Sequence, residues 1–198
     1  MNARFPLLSF RCTRCGNCCR DPLLPVTKSD LQRIVRRTNF DPRDVLRWVS
    51  RDDIDFDEQE SFVELRQGPR LMVLRHRRTG CLFLGPDLKC TIYSSRPLGC
   101  RAFPFDPDFD RRGNLKRLRL IQATECPYTL DGHNRVDDIR RLDWRYGKEL
   151  ADYHAQVEAF NLAQHQRRRQ GESLLNSSDF LVFLGFSLPR RRPRSKQA

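Results

Sequence analysis

Eight cysteines fall into two sets of four along a chain of 198 residues. The first set is compact, Cys12-Thr-Arg-Cys15-Gly-Asn-Cys18-Cys19, and the second is dispersed, at Cys81, Cys90, Cys100 and Cys126. Thiolates are soft ligands for zinc and for iron–sulfur clusters. Two residues between successive cysteines let the chain wrap around one metal centre, so Cys12, Cys15 and Cys18 can converge. Gly16 permits a positive φ, which turns backbone N–H groups towards the sulfurs. Three converging thiolates in one loop match the run that holds an iron–sulfur cubane, of the 4Fe-4S type. In ferredoxin runs the last cysteine precedes a proline. Here that pair is Cys126-Pro127, far downstream.

Zinc is the competing ion. Four thiolates in a tetrahedron satisfy it, and Cys-x2-Cys is a common half-site. A zinc site takes its ligands in pairs, however, and a third and fourth cysteine in the same loop exceed what one zinc knuckle needs. Neighbours such as Cys18 and Cys19 are expected to point in different directions, one serving the first centre and the other a second centre or the core. Two four-cysteine sites and a single site with spare thiols both remain open. The balance favours metal over disulfide chemistry, and an iron–sulfur cluster over zinc.

Arg11, Arg14, Arg20, Arg96 and Arg101 adjoin these cysteines. Guanidinium groups and N–H···S bonds stabilise an anionic thiolate centre and tune its potential. Ser94-Ser95-Arg96-Pro97 reads as the start of a helical turn with Cys100 in its first turn, where the helix N-terminus is expected to lower the thiol pKa. The four histidines, His76, His133, His154 and His165, have no ligand spacing with a cysteine or with each other and read as ordinary residues. No Gly-rich nucleotide loop and no nucleophile–base pair can be assigned, so no catalytic residue is named.

The elements that must position these groups are read from periodicity. Thr27-Lys-Ser-Asp30 starts a helix with a capping box, and Leu31, Ile34 and Val35 form its apolar face. Asp41-Pro42 starts a second helix lined by Val45, Leu46 and Val49. Residues 61–65 and 71–74 flank a Gly68-Pro69 turn as a hairpin, and 115–121 reads as an edge strand. From Val136, the residues Ile139, Leu142, Tyr146, Leu150, Tyr153, Val157 and Phe160 recur at steps of three and four, the clearest amphipathic helix in the chain. Ser177-Ser178-Asp179 caps a last short helix. The fold class is α+β: a small metal-stapled cysteine-cluster domain over 5–135 with short strands and loops, a helical segment over 136–187 packed on it, and a basic tail over 188–198.

Composition narrows the partners. The chain carries 37 Lys+Arg against 25 Asp+Glu, a net charge of +12. Half of that excess lies in residues 161–198, and the tail from 189 has no apolar period, as in disordered segments. Such a tail can contact nucleic acid or an acidic partner. Neither interleaved exposed aromatics nor a docking helix supports that role, so solubilisation is the plainer reading. No apolar run approaches the ~18 residues of a membrane span, and the apolar patch at 5–10 is shorter than a signal-peptide core. A cytoplasmic protein is expected, in which eight thiols stay reduced. A chain of this length buries roughly 70% of its unfolded surface without covalent staples, so the cysteines call for a chemical explanation.

Two runs carry a family resemblance: Cys12-x2-Cys15-Gly-x-Cys18-Cys19, and Cys81-x8-Cys90-Thr-Ile-Tyr93-x2-Arg96-Pro97-x2-Cys100-Arg101-x-Phe103-Pro104. Together they resemble the CxxCxxCC, or YkgJ-type, family of zinc- or iron-chelating cysteine-cluster domains. The similarity spans about 10–105, and Cys126 extends it. It implies a bacterial, cytosolic metalloprotein of small α+β type, often labelled an iron–sulfur oxidoreductase, with a redox partner. The same cysteine signature occurs in flagellin lysine methylases, which are longer. The resemblance implies a metal site and supplies no substrate.

Overall fold

The computed structural model describes residues 7–20, 23–54, 59–121 and 126–189. It begins with two short strands, β1 (Leu7–Leu8) and β2 (Arg11–Cys12), and a 3₁₀ turn over Asn17–Cys19. Helix α1 (Lys28–Thr38) starts where the sequence places it. The Thr27 hydroxyl accepts the Asp30 N–H at 3.2 Å, and the Asp30 carboxylate accepts the Thr27 N–H at 3.1 Å, so each end of the box satisfies a backbone donor of the first turn. The helix ends at Asn39, whose φ of 55° is left-handed.

The second expected helix is cut short. Asp41 caps it and Pro42 occupies its first position, but α2 (Pro42–Val45) is a single turn, and the chain then straightens into β3 (Leu46–Ser50). The following hairpin, β4 (Phe62–Leu65) and β5 (Gly68–Leu74), supplies the reason. The sheet order is β3-β5-β4, and β3 pairs with β5 from Leu46↔Leu74 to Ser50↔Arg70. Trp48 and Val49 suit a pleated surface, and the ladder satisfies backbone groups that a further helical turn would otherwise need. The hairpin turn falls at Arg66-Gln67, not at Gly68-Pro69, which lie in register with Leu65 and Glu64. Pro69 is tolerated because β3 stops opposite Arg70.

Short pieces follow: the hairpin β6 (His76–Arg77) with β7 (Gly80–Cys81), an isolated bridge between Leu84 and Cys90, and the turn of helix α3 (Leu98–Ala102). β8 (Phe105–Phe109) pairs with β9 (Leu115–Leu120), which is the strand expected near 115–121. β10 (Tyr128–Thr129) returns to β2, and β11 (Asn134–Arg135) returns to β1. Helix α4 (Val136–Arg169) runs for 34 residues, and α5 (Ser177–Phe183) closes the described chain. Its cap is Asn176, with Asp179 completing the box, rather than the serines that follow. The basic tail lies outside the described residues from 190 onward.

The core forms on both faces of the sheet. Met72 and Leu74 of β5 pack with Leu31, Ile34, Phe160 and Phe180, while Leu71 and Val73 point the other way and pack with Val49 and Phe62. This period-2 split makes the apolar run of β5 a strand buried on both sides. Of the periodic positions of α4, Ile139, Tyr153, Val157 and Phe160 are buried. Two polar residues of the same helix cover the free edge of β4. The Asn161 amide accepts the Glu64 N–H at 2.7 Å and donates to the Phe62 carbonyl at 2.8 Å. Buried Gln164 donates to the Glu64 carbonyl at 2.7 Å and accepts the Leu175 N–H at 3.0 Å. Side-chain amides thus replace a fourth strand and block edge pairing. No helix among the described residues is long and apolar enough to cross a membrane.

Candidate metal centre

Three backbone devices bring the cysteines together. The first is glycine. Gly16 has φ 78°, and a Cβ there would stand 3.2 Å from the Leu88 carbonyl oxygen. Gly80 has φ 130°, and a Cβ there would meet the Cys19 carbonyl oxygen at 2.8 Å. Only residues without a side chain let the first cysteine loop approach the hairpin of Cys81 and the turn before Cys90 this closely. The second device is Asp30, which accepts the Leu98 N–H at 2.8 Å and so caps the turn that carries Cys100 from the start of α1. Asp30 is itself held by Arg33, whose Nη1 lies 2.8 Å from Glu149 of α4. The third is strand pairing of β2 with β10, which sets Cys12 opposite Tyr128, and the Thr13 hydroxyl donates to the Pro127 carbonyl at 2.8 Å.

These devices divide the cysteines differently from their order in sequence. Cys12, Cys18, Cys19, Cys81, Cys90 and Cys100 line one cavity of about 240 Å³, with Leu74, Phe83, Leu88 and Ile92 as apolar walls. Cys15 turns away from it, and its Sγ lies 3.8 Å from Cys126 Sγ. All eight are free thiols. Among the described residues no group of three or more His, Cys, Asp or Glu side chains is already arranged to hold a metal ion.

The electrostatics mark the same grouping. The Cys18 thiol is pushed up by its hydrogen bond with Cys19, by burial and by the Cys19 charge. Burial pushes Cys81 up to about 11, with the nearby Cys90 and Cys18 charges adding to it. Burial also raises Cys90, and it raises Cys100 together with the charges of Cys81, Cys18 and Cys90. The helix-terminus effect expected to lower the Cys100 pKa is therefore overruled by desolvation: the helix has only five residues, and its terminus is occupied by the Asp30 carboxylate. Like charges that oppose one another in an apolar cavity are what a bound cation relieves.

Backbone donors also reach the sulfurs. The Arg14 N–H reaches Cys12 Sγ at 3.4 Å, the Phe83 N–H reaches Cys81 Sγ at 3.5 Å, and the Ile92 N–H bonds Cys90. In each case the donor is two residues after the cysteine, the same tight turn used three times. Arg96 favours the thiolates of Cys18, Cys90 and Cys100. Its guanidinium stacks 4.0 Å from the Tyr93 ring, with Arg14 at 4.9 Å from the same ring, and both arginines line the cavity. The other arginines singled out from the sequence are engaged elsewhere: Arg11 pairs with Asp131, Arg20 donates to Asn17, and Arg101 donates to the Arg96 and Ser94 carbonyls.

The donor set fits a thiophilic metal or cluster: soft sulfurs, N–H···S bonds, a flanking guanidinium and apolar walls. One further residue meets this site without having been read from spacing, His76, set opposite Cys81 in the β6–β7 register. Its signal lay in the short return from His76 to Cys81, visible only once the hairpin is known.

No curated protein and no solved structure matches the chain. The CxxCxxCC family, described as "Putative zinc- or iron-chelating domain", matches residues 11–127, more than half of the chain and every cysteine. The chain belongs to the CxxCxxCC family of cysteine-cluster domains.

Proposed function

We propose that this protein carries an iron–sulfur cluster, of the 4Fe-4S type, and serves in electron transfer with a redox partner. The observation that carries this reading is the single cavity lined by six cysteines. A structural zinc ion and a 4Fe-4S cluster each take four ligands, so the cavity supports a thiolate-bound metal centre, and the Cys12-x2-Cys15-x2-Cys18 run is what favours the cluster. Cys18, Cys81, Cys90 and Cys100 are the primary ligand set of this reading, because each of the last three experiences Cys18 as a neighbouring charge. Cys12 and Cys19 are the adjoining thiols, and Cys15 with Cys126 clamps the loop behind them.

When bound, such a cluster accepts and returns one electron. The chain's own residues set the conditions. Arg96 offsets negative charge, the three i+2 N–H groups donate to sulfur, and Leu74, Phe83 and Ile92 form apolar walls beside the sulfurs. Eight thiols fit a reducing compartment, which is the cytoplasmic reading. The test is reduction with dithionite of anaerobically purified protein. A bleached visible band and a paramagnetic signal are expected. A protein that carries stoichiometric zinc and shows neither change would establish the zinc-stapled alternative instead.

A further inference from the structure

The cysteine wall has a second side. Cys18, Cys19, Cys81 and Cys100 also line a neighbouring cavity of about 380 Å³, whose walls include His76, Phe105 and Tyr146 as well. His76 and Cys81 are direct partners across the β6–β7 hairpin. Residues so opposed project from the same face, with Cβ atoms about 5 Å apart.

The state of the imidazole follows from its contacts. His76 Nδ1 lies 3.2 Å from the Leu74 carbonyl oxygen. A carbonyl only accepts, so Nδ1 carries the hydrogen, and in the neutral ring Nε2 presents its lone pair. That Nε2 is buried and has no hydrogen-bond partner among the described residues. A buried acceptor left unpaired is destabilising, so the position calls for a partner. Four of the residues lining the same cavity are thiols. A backbone carbonyl holding Nδ1–H while a buried Nε2 is left unpaired, on a residue set opposite Cys81, suits a metal-ligating histidine. His154, by contrast, has both ring nitrogens engaged, with Ser61 at 2.9 Å and Glu60 at 3.0 Å.

We propose that His76 Nε2 takes the place of Cys90 as the fourth ligand beside Cys18, Cys81 and Cys100, which makes the centre a mixed nitrogen–thiolate one. This rests on the metal-binding reading above. A neutral imidazole in place of a thiolate removes one negative charge, and in an iron–sulfur centre it raises the reduction potential.

The experiment uses the full chain with the metal it carries on purification, labelled with ring-¹⁵N histidine. If the metal is iron, pulsed electron paramagnetic resonance of the reduced protein is expected to show one strongly coupled ¹⁵N. If it is zinc, absorption at the zinc edge is expected to show one nitrogen at about 2.0–2.1 Å beside sulfur at about 2.3 Å. His76→Ala is expected to abolish the nitrogen signal and to weaken metal affinity about 10-fold or more. His76→Cys is expected to restore metal content with an all-sulfur shell, and His165→Ala to change nothing. An all-sulfur shell in the wild type, or a nitrogen signal that survives in His76→Ala, overturns the proposal while leaving metal binding intact. A wild-type protein free of both iron and zinc overturns the metal-binding reading itself, and the ligand proposal with it. The wild-type spectrum decides even if His76→Ala does not fold.

Discussion

Cys15 Sγ lies 3.8 Å from Cys126 Sγ, joining two residues 111 positions apart. The second cysteine of the compact motif thus faces the last cysteine of the chain. The pairing follows from β2 against β10, which sets the segment after Cys126 beside Cys12. Mild oxidation of metal-free protein with diamide is therefore expected to form a Cys15–Cys126 disulfide before any other, because a small approach brings the sulfurs to the roughly 2.05 Å of a bond. Peptide mapping by mass spectrometry checks this. A first bridge within Cys18, Cys81, Cys90 and Cys100 would contradict the division of the cysteines described above.

Arg96 is expected to support metal binding without being a ligand. It favours the charged form of Cys18, Cys90 and Cys100 and stacks on Tyr93. Arg96→Ala should weaken affinity about 10-fold, within the range seen for groups that tune metal ligands. Arg96→Lys should recover part of it, since the charge returns but the planar stack does not. The sign with pH is fixed by the free thiols. Cys81 is pushed up to about 11, so binding metal must displace protons, and affinity falls as pH falls. In Arg96→Ala the midpoint of acid release, read by competition with a chelator, should move to higher pH.

How much of this was legible in the sequence depends on whether the signal was local. The box of Thr27 and Asp30 and the apolar period of α4 lie within a few residues of what they organise, and both elements form as read. Leu46 to Ser50 was not legible as a strand, because its partner Leu71 lies more than twenty residues further on and Asp41-Pro42 signals a helix correctly for one turn only. Asn161 and Gln164 lie outside the apolar period of α4, yet they cover the β4 edge. The cysteines were legible as candidate ligands, while their grouping was not, because it depends on the close approach of Gly80 to Cys19.

Two glycines make opposite predictions. Gly80→Ala is expected to be destabilising, because φ 130° excludes a side chain and the new Cβ would stand 2.8 Å from the Cys19 carbonyl oxygen. The hairpin and the first cysteine loop would move apart, so metal content and melting temperature should fall together. Gly147 lies within α4 and a Cβ there meets nothing within 4 Å. Gly147→Ala should raise stability by about 1 kcal/mol, measured by urea unfolding, and leave metal content unchanged.

Tyr153 is fully buried in the core, and its hydroxyl has no partner among the described residues. Tyr153→Phe is therefore expected to match or exceed the wild type in stability at neutral pH. Burial raises the phenol above its ordinary value of 10.0. A group whose folded pKa is raised contributes stability that is present below the unfolded value and is lost as pH rises towards the folded one. Above about pH 10 the wild type should thus lose stability with a steeper slope than Tyr153→Phe. Parallel slopes in urea midpoints between pH 9 and pH 11, taken as roughly spanning the phenol's unfolded pKa, would show that this ring does not govern alkaline unfolding.

The central claim is that the six-cysteine cavity holds an iron–sulfur cluster. Quantifying iron and acid-labile sulfide in anaerobically purified wild type, alongside Cys100→Ser, tests it most directly. Near-equal amounts of iron and sulfide in the wild type, with both lost in the variant, are predicted. Stoichiometric zinc without sulfide, or iron and sulfide retained in full by Cys100→Ser, would contradict the account.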